Sequence, residues 1–136
     1  LDAVGAHGHP IVDLTVTVSM APDGVGREDA ATAACREAIQ RAGTCMLEPV
    51  MLMEVVSPEE HLGPILDATT GMRGHVKRIE SRGCIRALAA HVPLSELAGF
   101  SERLRSLSGG RANASIQFAH YERVPLDLAD AVAVAR

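Results

Sequence analysis

The sequence is poor in aromatic residues: it has no tryptophan, one tyrosine and two phenylalanines among 136 residues. Its hydrophobic fraction is nevertheless 47%, so a core must be built mainly from Ala, Val, Leu, Ile and Met. The shortage of rings argues against a reader of single-stranded RNA that stacks bases on aromatic side chains. The length fits one average domain, or a small domain with part of another.

Long apolar runs and secretory signals are also missing. No hydrophobic stretch approaches the ~20 residues that a membrane-spanning helix needs, and no signal peptide is recognisable. We therefore expect an intracellular protein without a membrane partner. The chain starts at Leu1 rather than at a methionine, which we interpret as a fragment of a longer protein.

The cysteines are few and scattered. Cys35, Cys45 and Cys84 are odd in number and widely spaced, which argues against a disulfide framework or a zinc site. We expect them to be small buried hydrophobes in a reducing compartment. No GxxxxGKS/T motif is present, so this sequence has no nucleotide-phosphate loop of that type.

Charge is unevenly distributed along the chain. Residues 1–49 carry three basic and seven acidic side chains, residues 50–121 carry eight and seven, and residues 122–136 carry two and three. The net charge of −4 argues against a free-standing nucleic-acid binder, and we expect no DNA partner. A local basic edge that touches RNA within a larger assembly is still compatible with this balance.

Residues 1–47 predict one strand and one helix. Residues 11–20 alternate apolar and polar side chains, which is typical of a half-buried strand. Residues 27–42 predict a helix that Gly43 ends. Because two elements cannot bury a core, we interpret this segment as a partial α/β unit. Residues 47–49 are interpreted as a linker.

Residues 48–122 predict a complete domain of order βαββαβ. That order favours an α+β, ferredoxin-like fold, with both helices on one face of an antiparallel sheet. Residues 123–136 are interpreted as a C-terminal tail. The predicted strands are 50–56, 75–82, 84–92 and 112–121, and the predicted helices begin after Ser57 and span 99–108.

The first of these helices has a marked start and an internal proline. Ser57-Pro58-Glu59-Glu60 has the pattern of a helix start, with the serine as N-cap and the proline at the first helical position. Pro64 would then lie inside the helix, where it predicts a lost backbone bond and a kink.

Few residues carry recognisable chemistry, and we predict no catalytic residue and no metal ligand. His7 and His9 lack a third nearby ligand, so a surface loop is expected there rather than a metal site. His120 falls on the apolar face of its predicted strand and is expected to be a core or edge histidine. Glu59 and Glu60 would point apart on a helix, and capping explains them.

The remaining candidate surface is basic. Arginine and lysine bind phosphate without reading bases, and glycine lets a backbone approach a phosphate closely. An ordinary solvated surface is the alternative interpretation. The residues that we predict to contact RNA are Arg73, Gly74, His75, Lys77, Arg78, Arg105, Gly109, Gly110 and Arg111.

Several segments resemble the C-terminal end of elongation factor G and its relatives. Four of them are LEPVMLMEVVSPEEHLGPIL, MRGHV, VPLSELAGFSERLRSLSGGR and FAHYERVP. In addition, HPIVDLTVTV and AACREAIQRAGTCMLEP resemble the end of that family's fourth domain. Residues 50–122 resemble its whole fifth domain, so the resemblance covers most of the chain.

The resemblance implies that the intact protein is a GTPase of translation. Its fifth domain would contact large-subunit ribosomal RNA and proteins, and the basic residues named above would form that contact. GTP and Mg would bind in an N-terminal part outside this chain, so no cofactor is expected here. The implied location is the cytoplasm or the mitochondrial matrix.

The sequence departs from the common elongation pattern at several positions. The loop APDGVG is short, Pro64 lies within the first helix of the domain, and Met72 replaces an arginine of the usual Arg-Arg-Gly. A proline at the position of Pro64, the shortened loop and a short C-terminal tail resemble the second mitochondrial type, which recycles ribosomes with a ribosome recycling factor. Translocation and recycling therefore both stay open.

A different hypothesis needs no ribosome. A ferredoxin-like module can bind a small ligand or a protein partner on its open sheet face, where Leu52 would form part of an exposed patch. A pocket with convergent polar groups on that face would favour this hypothesis.

Overall fold

The chain divides into two units, Leu1–Cys45 and Met46–Arg136. The computed structural model of the protein describes residues 9–17, 26–125 and 127–128. None of the helices within these residues is long and apolar enough to cross a membrane.

The first unit contains one helix within its described residues. Helix α1 spans Arg27–Ala42 as predicted, and the Gly43 N–H donates to the Ile39 carbonyl at 3.1 Å. The predicted strand is wrong over its described part, because residues 11–17 form no strand. Alternation creates an apolar face, but a strand also needs a hydrogen-bonded neighbour, and Val12 is accordingly 61% exposed. Residues 18–20 lie outside the described residues.

The second unit confirms the predicted order βαββαβ. The strands form one antiparallel sheet of order β2-β3-β1-β4, which makes β1 a central strand and β4 an edge strand. Short 3-10 turns at Glu59–His61 and Leu94–Glu96 complete the connections. The elements are β1 (Leu47–Pro58), α2 (Leu62–Gly71), β2 (His75–Arg82), β3 (Ile85–Pro93), α3 (Phe100–Ser108) and β4 (Asn113–Arg123).

Three local predictions around β1 and α2 are wrong. Residues 47–49 are not a linker, since they pair with residues 121–123 of β4. Ser57 does not cap a helix, because β1 continues through it to Pro58 and pairs it with Arg86. Pro64 lies in the first turn of α2, where a backbone N–H has no partner within the helix, so it removes no bond of α2.

Both helices pack on the same face of the sheet, as predicted. The side chains of Met53 and Val55 on β1 are 0% and 1% exposed, and their neighbours in the sheet include Ala90 and Leu88 of β3. These strand residues form one core cluster with Ile65 of α2 and with Phe100 and Leu104 of α3. Phe100 is the largest fully buried side chain among the described residues, so its ring anchors an otherwise aliphatic core.

Two β-bulges alter which face the edge strands present. The register shifts between Val76 and Arg78 on β2, which leaves Lys77 as an extra residue. On β4, Val50 pairs with His120 while Met51 pairs with Phe118, which leaves Ala119 as an extra residue. Since a bulge interrupts the alternation of a strand, His120 lies on the face opposite the helices. Its predicted place on the apolar face is therefore wrong.

A buried ion pair ties the connection between α2 and β2 to β1. Arg73 has a left-handed backbone (φ 55°), and its Nη1 and Nη2 donate to the two Glu48 carboxylate oxygens at 2.8 and 3.1 Å. Its Nε donates to Glu96 at 3.1 Å. The hydrogen bond to Glu48 is the main cause that raises the pKa of Arg73 above its ordinary value. Glu48 is only 4% exposed, so the arginine neutralises a buried carboxylate.

Replacing Arg73 by methionine should destabilise the second unit. The change keeps most of the side-chain volume but leaves the Glu48 carboxylate buried without its partner, which we expect to lower the free energy of unfolding by about 2–4 kcal/mol. Urea unfolding followed by circular dichroism measures it. Arg103→Met is the matched control, because Arg103 is exposed and takes part in no salt bridge with another described residue. Equal loss in both variants would contradict the prediction.

Gly74 is required by close packing. A Cβ at this position would lie 2.5 Å from the Thr69 carbonyl oxygen and 2.8 Å from its Cγ2, and the same carbonyl accepts the Gly74 N–H at 3.0 Å. Thr69 is itself 0% exposed and its hydroxyl donates to the Ile65 carbonyl at 2.8 Å. Both close atoms belong to Thr69, which is therefore not free to shift.

Gly74→Ala should lower the free energy of unfolding by about 1–3 kcal/mol, since the added methyl overpacks this junction. Gly63→Ala is the control: a Cβ there meets nothing within 4 Å, and alanine favours a helix over glycine. In chemical unfolding, the free energy of unfolding should fall for Gly74→Ala and should stay equal or rise for Gly63→Ala. A Gly74→Ala protein as stable as the parent would show that the junction relaxes freely.

Candidate functional site

The nine predicted RNA-contacting residues fall into two groups that the fold separates. One group lies at the start of β2, where His75 pairs with His91 in the row of Leu52. The other lies at the end of α3, just before Asn113, which pairs with Val56. The cross-strand rows that contain Leu52 and Val56 are four residues apart along β1. Strands β2 and β4 form the two opposite edges of the sheet. Strand rise and spacing then separate the groups by roughly 20 Å.

In the first group, only part of the charge is available to a partner. Arg73 is occupied by Glu48 and Glu96, and Gly74 is explained by its packing on Thr69. Arg78 pairs with Glu80 at 3.0 Å and approaches Glu54 at 3.9 Å. Lys77, at the bulge, is exposed and forms no salt bridge with the described residues.

In the second group, the glycines end a helix. Gly109 and Gly110 have φ values of 57° and 80°, and the Gly110 N–H donates to the Arg105 carbonyl at 3.0 Å. This is the glycine-dependent end expected of a helix that turns sharply. Buried Ser108 supports the turn, since its hydroxyl donates to the Leu104 carbonyl at 2.7 Å and accepts the Ala112 N–H at 3.1 Å.

The two arginines of this second group differ in availability. Arg111 pairs with Glu60 at 2.7 Å. Arg105 is exposed in the last turn of α3 and forms no salt bridge within the described part of the chain. A cation there is also stabilised by the negative end of the helix dipole, so its charge has a structural as well as a binding use.

Glu59 and Glu60, which sequence reasoning assigned to helix capping, form salt bridges with arginines. Glu59 pairs with Arg86 at 2.6 Å and Glu60 with Arg111. They line a depression of about 460 Å³ together with Pro58 and Cys84. This depression lies at the β2–β3 turn rather than beside Leu52 on the open sheet face, so it gives the small-ligand hypothesis no support.

The histidines form a group that the sequence did not reveal. His75 of β2 is the direct cross-strand partner of His91 of β3, and the His91 and His120 rings meet edge to face with centroids 5.1 Å apart. Burial lowers the pKa of His91 below its ordinary value, and the charges of Lys77 and His120 add to the effect. Alternation along β3 places the His91 side chain on the sheet face opposite that of Ala90 and Val92. Only the pairing register of β2 with β3 brings His91 beside His75.

The cysteines and the remaining histidines add little. Cys35, Cys45 and Cys84 are free thiols. The prediction that they are buried is wrong for Cys45 and Cys84, which are exposed, while Cys35 is half-buried. Within residues 9–17, 26–125 and 127–128, no group of three or more His, Cys, Asp or Glu side chains is arranged to hold a metal ion. His7, one of the two N-terminal histidines, lies outside these residues.

Comparison with known proteins gives a consistent family. The family model described as "Elongation factor G C-terminus" matches residues 45–132. An Elongation factor G from Paracoccus denitrificans (strain Pd 1222) is 37% identical over 138 residues, an alignment that covers 97% of this chain and 20% of that protein. A crystal structure of a protein from Thermus thermophilus matches with a TM-score of 0.65 and 31% identity, over 69% of this chain and 14% of that chain.

These matches agree in where they fall. The family model covers the whole of the βαββαβ sheet and its two helices. The chain spans about a fifth of the length of the curated relative that it matches. On the evidence of its second unit, the chain belongs to the elongation factor G family and represents its C-terminal region.

Proposed function

We propose that this chain is the ribosome-contacting C-terminal region of an elongation factor G-type GTPase. The observation that carries the proposal is the family match over residues 45–132, which coincides with the second unit. GTP and Mg would bind in parts of the factor outside this chain. The chain itself would contribute positioning on the ribosome rather than chemistry.

Elongation is the better supported of the two translational roles. The relative that is 37% identical is named an elongation factor. We therefore propose translocation, with large-subunit ribosomal RNA and proteins as partners. Recycling with a ribosome recycling factor is the alternative role, and a ribosome-splitting assay tests it.

The cations available for this contact are fewer than the sequence predicted. Lys77 and Arg105 are exposed and unpaired within the described residues, and Arg111 reaches solvent beside Glu60. Cations of this kind bind phosphates and set orientation without specifying sequence. Because the groups lie on opposite edges of the sheet, each would make a separate contact, and the rigid sheet would fix the distance between the two.

Reversing the two unpaired charges should weaken ribosome binding. In the full-length factor, Lys77→Glu with Arg105→Glu should raise the concentration of ribosomes needed for half-maximal GTP turnover about 5- to 30-fold at low salt, since each lost phosphate contact removes a salt-dependent attraction. Nucleotide binding without ribosomes should not change. The salt dependence of ribosome binding should also become less steep.

Arg36→Glu with Arg41→Glu is the matched control, because these two exposed arginines of helix α1 in the first unit give the same change in net charge. If both variants respond alike, net charge rather than position is responsible. Unchanged ribosome stimulation in the double variant would contradict the proposed contact. Translocation and ribosome-splitting assays with the same preparations then separate the roles: splitting with a recycling factor, and no translocation, would favour recycling.

A further inference from the structure

The open face of the sheet in the second unit carries three histidines that the proposed ribosome contact does not use as a group. We call His75, His91 and His120 the histidine row. They lie on β2, β3 and β4, and the first two are direct cross-strand partners while the last two have rings 5.1 Å apart. His75 and His120 are exposed and His91 is half-buried, so all three can exchange protons with solvent.

The charges that reach the histidine row are nearly balanced when its imidazoles are neutral. The groups whose charge acts on His91 are Lys77, His75, His120 and Glu122. Lys77 and Glu122 supply one charge of each sign. Every proton that the row takes up therefore adds positive charge with no further carboxylate to neutralise it.

Other charged groups on this face already have partners. Glu54 and Glu80 flank Arg78 in the neighbouring rows, and Glu80 also accepts from Arg82. At the end of β1, Glu48 and Glu96 are held by Arg73. Glu122 is 3.9 Å from the His120 Nε2, which makes it the carboxylate closest to the row among the described residues.

Protonation of the histidine row would change the charge of this surface. Histidine has an ordinary pKa of ~6.5, and burial together with Lys77 and His120 places the pKa of His91 lower. His91 is therefore neutral over a wider pH range than an ordinary imidazole, and histidine is the residue type whose charge changes between about pH 5 and 8. An anion bound there would favour the protonated rings and would draw protons onto the site.

We propose that the histidine row, together with Lys77, is a proton-switched binding site for the phosphate groups of an RNA backbone. The row runs from β2 to β4, whose axes lie about 14 Å apart, and the His91 and His120 rings lean together to 5.1 Å. Several donors can therefore contact one backbone of phosphodiesters. Imidazolium N–H groups donate charge-assisted hydrogen bonds to phosphate oxygens. Protonated imidazoles and the Lys77 ammonium are cationic donors, so the contact made at acidic pH is directed to the anionic backbone.

This inference rests on the proposed function, since it names an RNA contact and a regulation for the same domain. It assigns to the open sheet face a contact that is weak at neutral pH and strong at mildly acidic pH. The two proposals share Lys77, but they differ in the three histidines, in Arg105 and in their pH dependence, so variants at those residues make them fail separately.

The test measures how a short fluorescein-labelled oligouridylate binds to the 136-residue chain by fluorescence anisotropy at constant ionic strength. We expect affinity about tenfold higher at about pH 5.5 than at about pH 7.5, because binding takes up at least one proton. In the triple variant His75→Gln, His91→Gln, His120→Gln this ratio should fall to about twofold or less. His9→Gln, in the first unit, is the control and should keep the parental ratio.

Stability of the variants is checked by circular dichroism at both pH values. If the triple variant does not fold, His75→Gln alone replaces it: His75 is exposed, and its loss should reduce the ratio. Equal affinity of the parent at the two pH values would overturn the proposal, as would a triple variant that keeps the full ratio. Competition by inorganic phosphate as effective as that of the oligonucleotide, per phosphate group, would overturn the assignment to an RNA backbone.

Two results distinguish this inference from the proposed function. If the parental chain bound oligouridylate equally at both pH values while ribosomes stimulated the full-length factor normally at neutral pH, only the histidine-row proposal would be contradicted. If the affinity for oligouridylate still depended on pH, but the Lys77→Glu, Arg105→Glu variant responded normally to ribosomes, the proposed ribosome contact would be contradicted instead.

Discussion

The pairing of β1 with two neighbours is the constraint on which the second unit depends. β1 is hydrogen-bonded to β3 on one side and to β4 on the other along nearly all of its length. This double pairing satisfies its backbone groups and allows Met53 and Val55 to be fully buried beneath the helices. The charged groups of the sheet and its connections are positioned by their register against this strand.

The same register decides which cations are available. At one end of the sheet it brings Glu48 to Arg73, so a conspicuous arginine becomes part of the fold. At the other end it brings Glu60 to Arg111. Burying an ion pair stabilises a protein little, whereas removing one partner is costly, so an arginine such as Arg73 is retained for structure and offers less to RNA. Lys77 differs because a bulge sets it apart from the ladder.

The bulges also create the histidine row. A strand that alternated without interruption would place His120 beside Phe118, on the face of the helices. The extra residue Ala119 reverses that order and brings the ring to His91. The cost is a local break in the ladder at an edge strand, where bulges are tolerated. His120 thus lies beside His91 on the open face rather than beside the exposed Phe118 ring on the face of the helices.

Sequence alone determined the element order of the second unit, and with it the ferredoxin-like class, because alternation and helical periodicity directly reflect which side chains face a core. It also located the helix end at Gly109 and Gly110, where local backbone geometry demands glycine. It failed for residues 11–17, since alternation does not supply a pairing partner, and at Ser57, where pairing with Arg86 extended the strand through a good capping pattern.

Tertiary structure alone decided which arginines are neutralised and which histidines meet. Those contacts join residues that are distant along the chain, such as Glu48 with Arg73 or His91 with His120, and they depend on a strand register that no local pattern encodes.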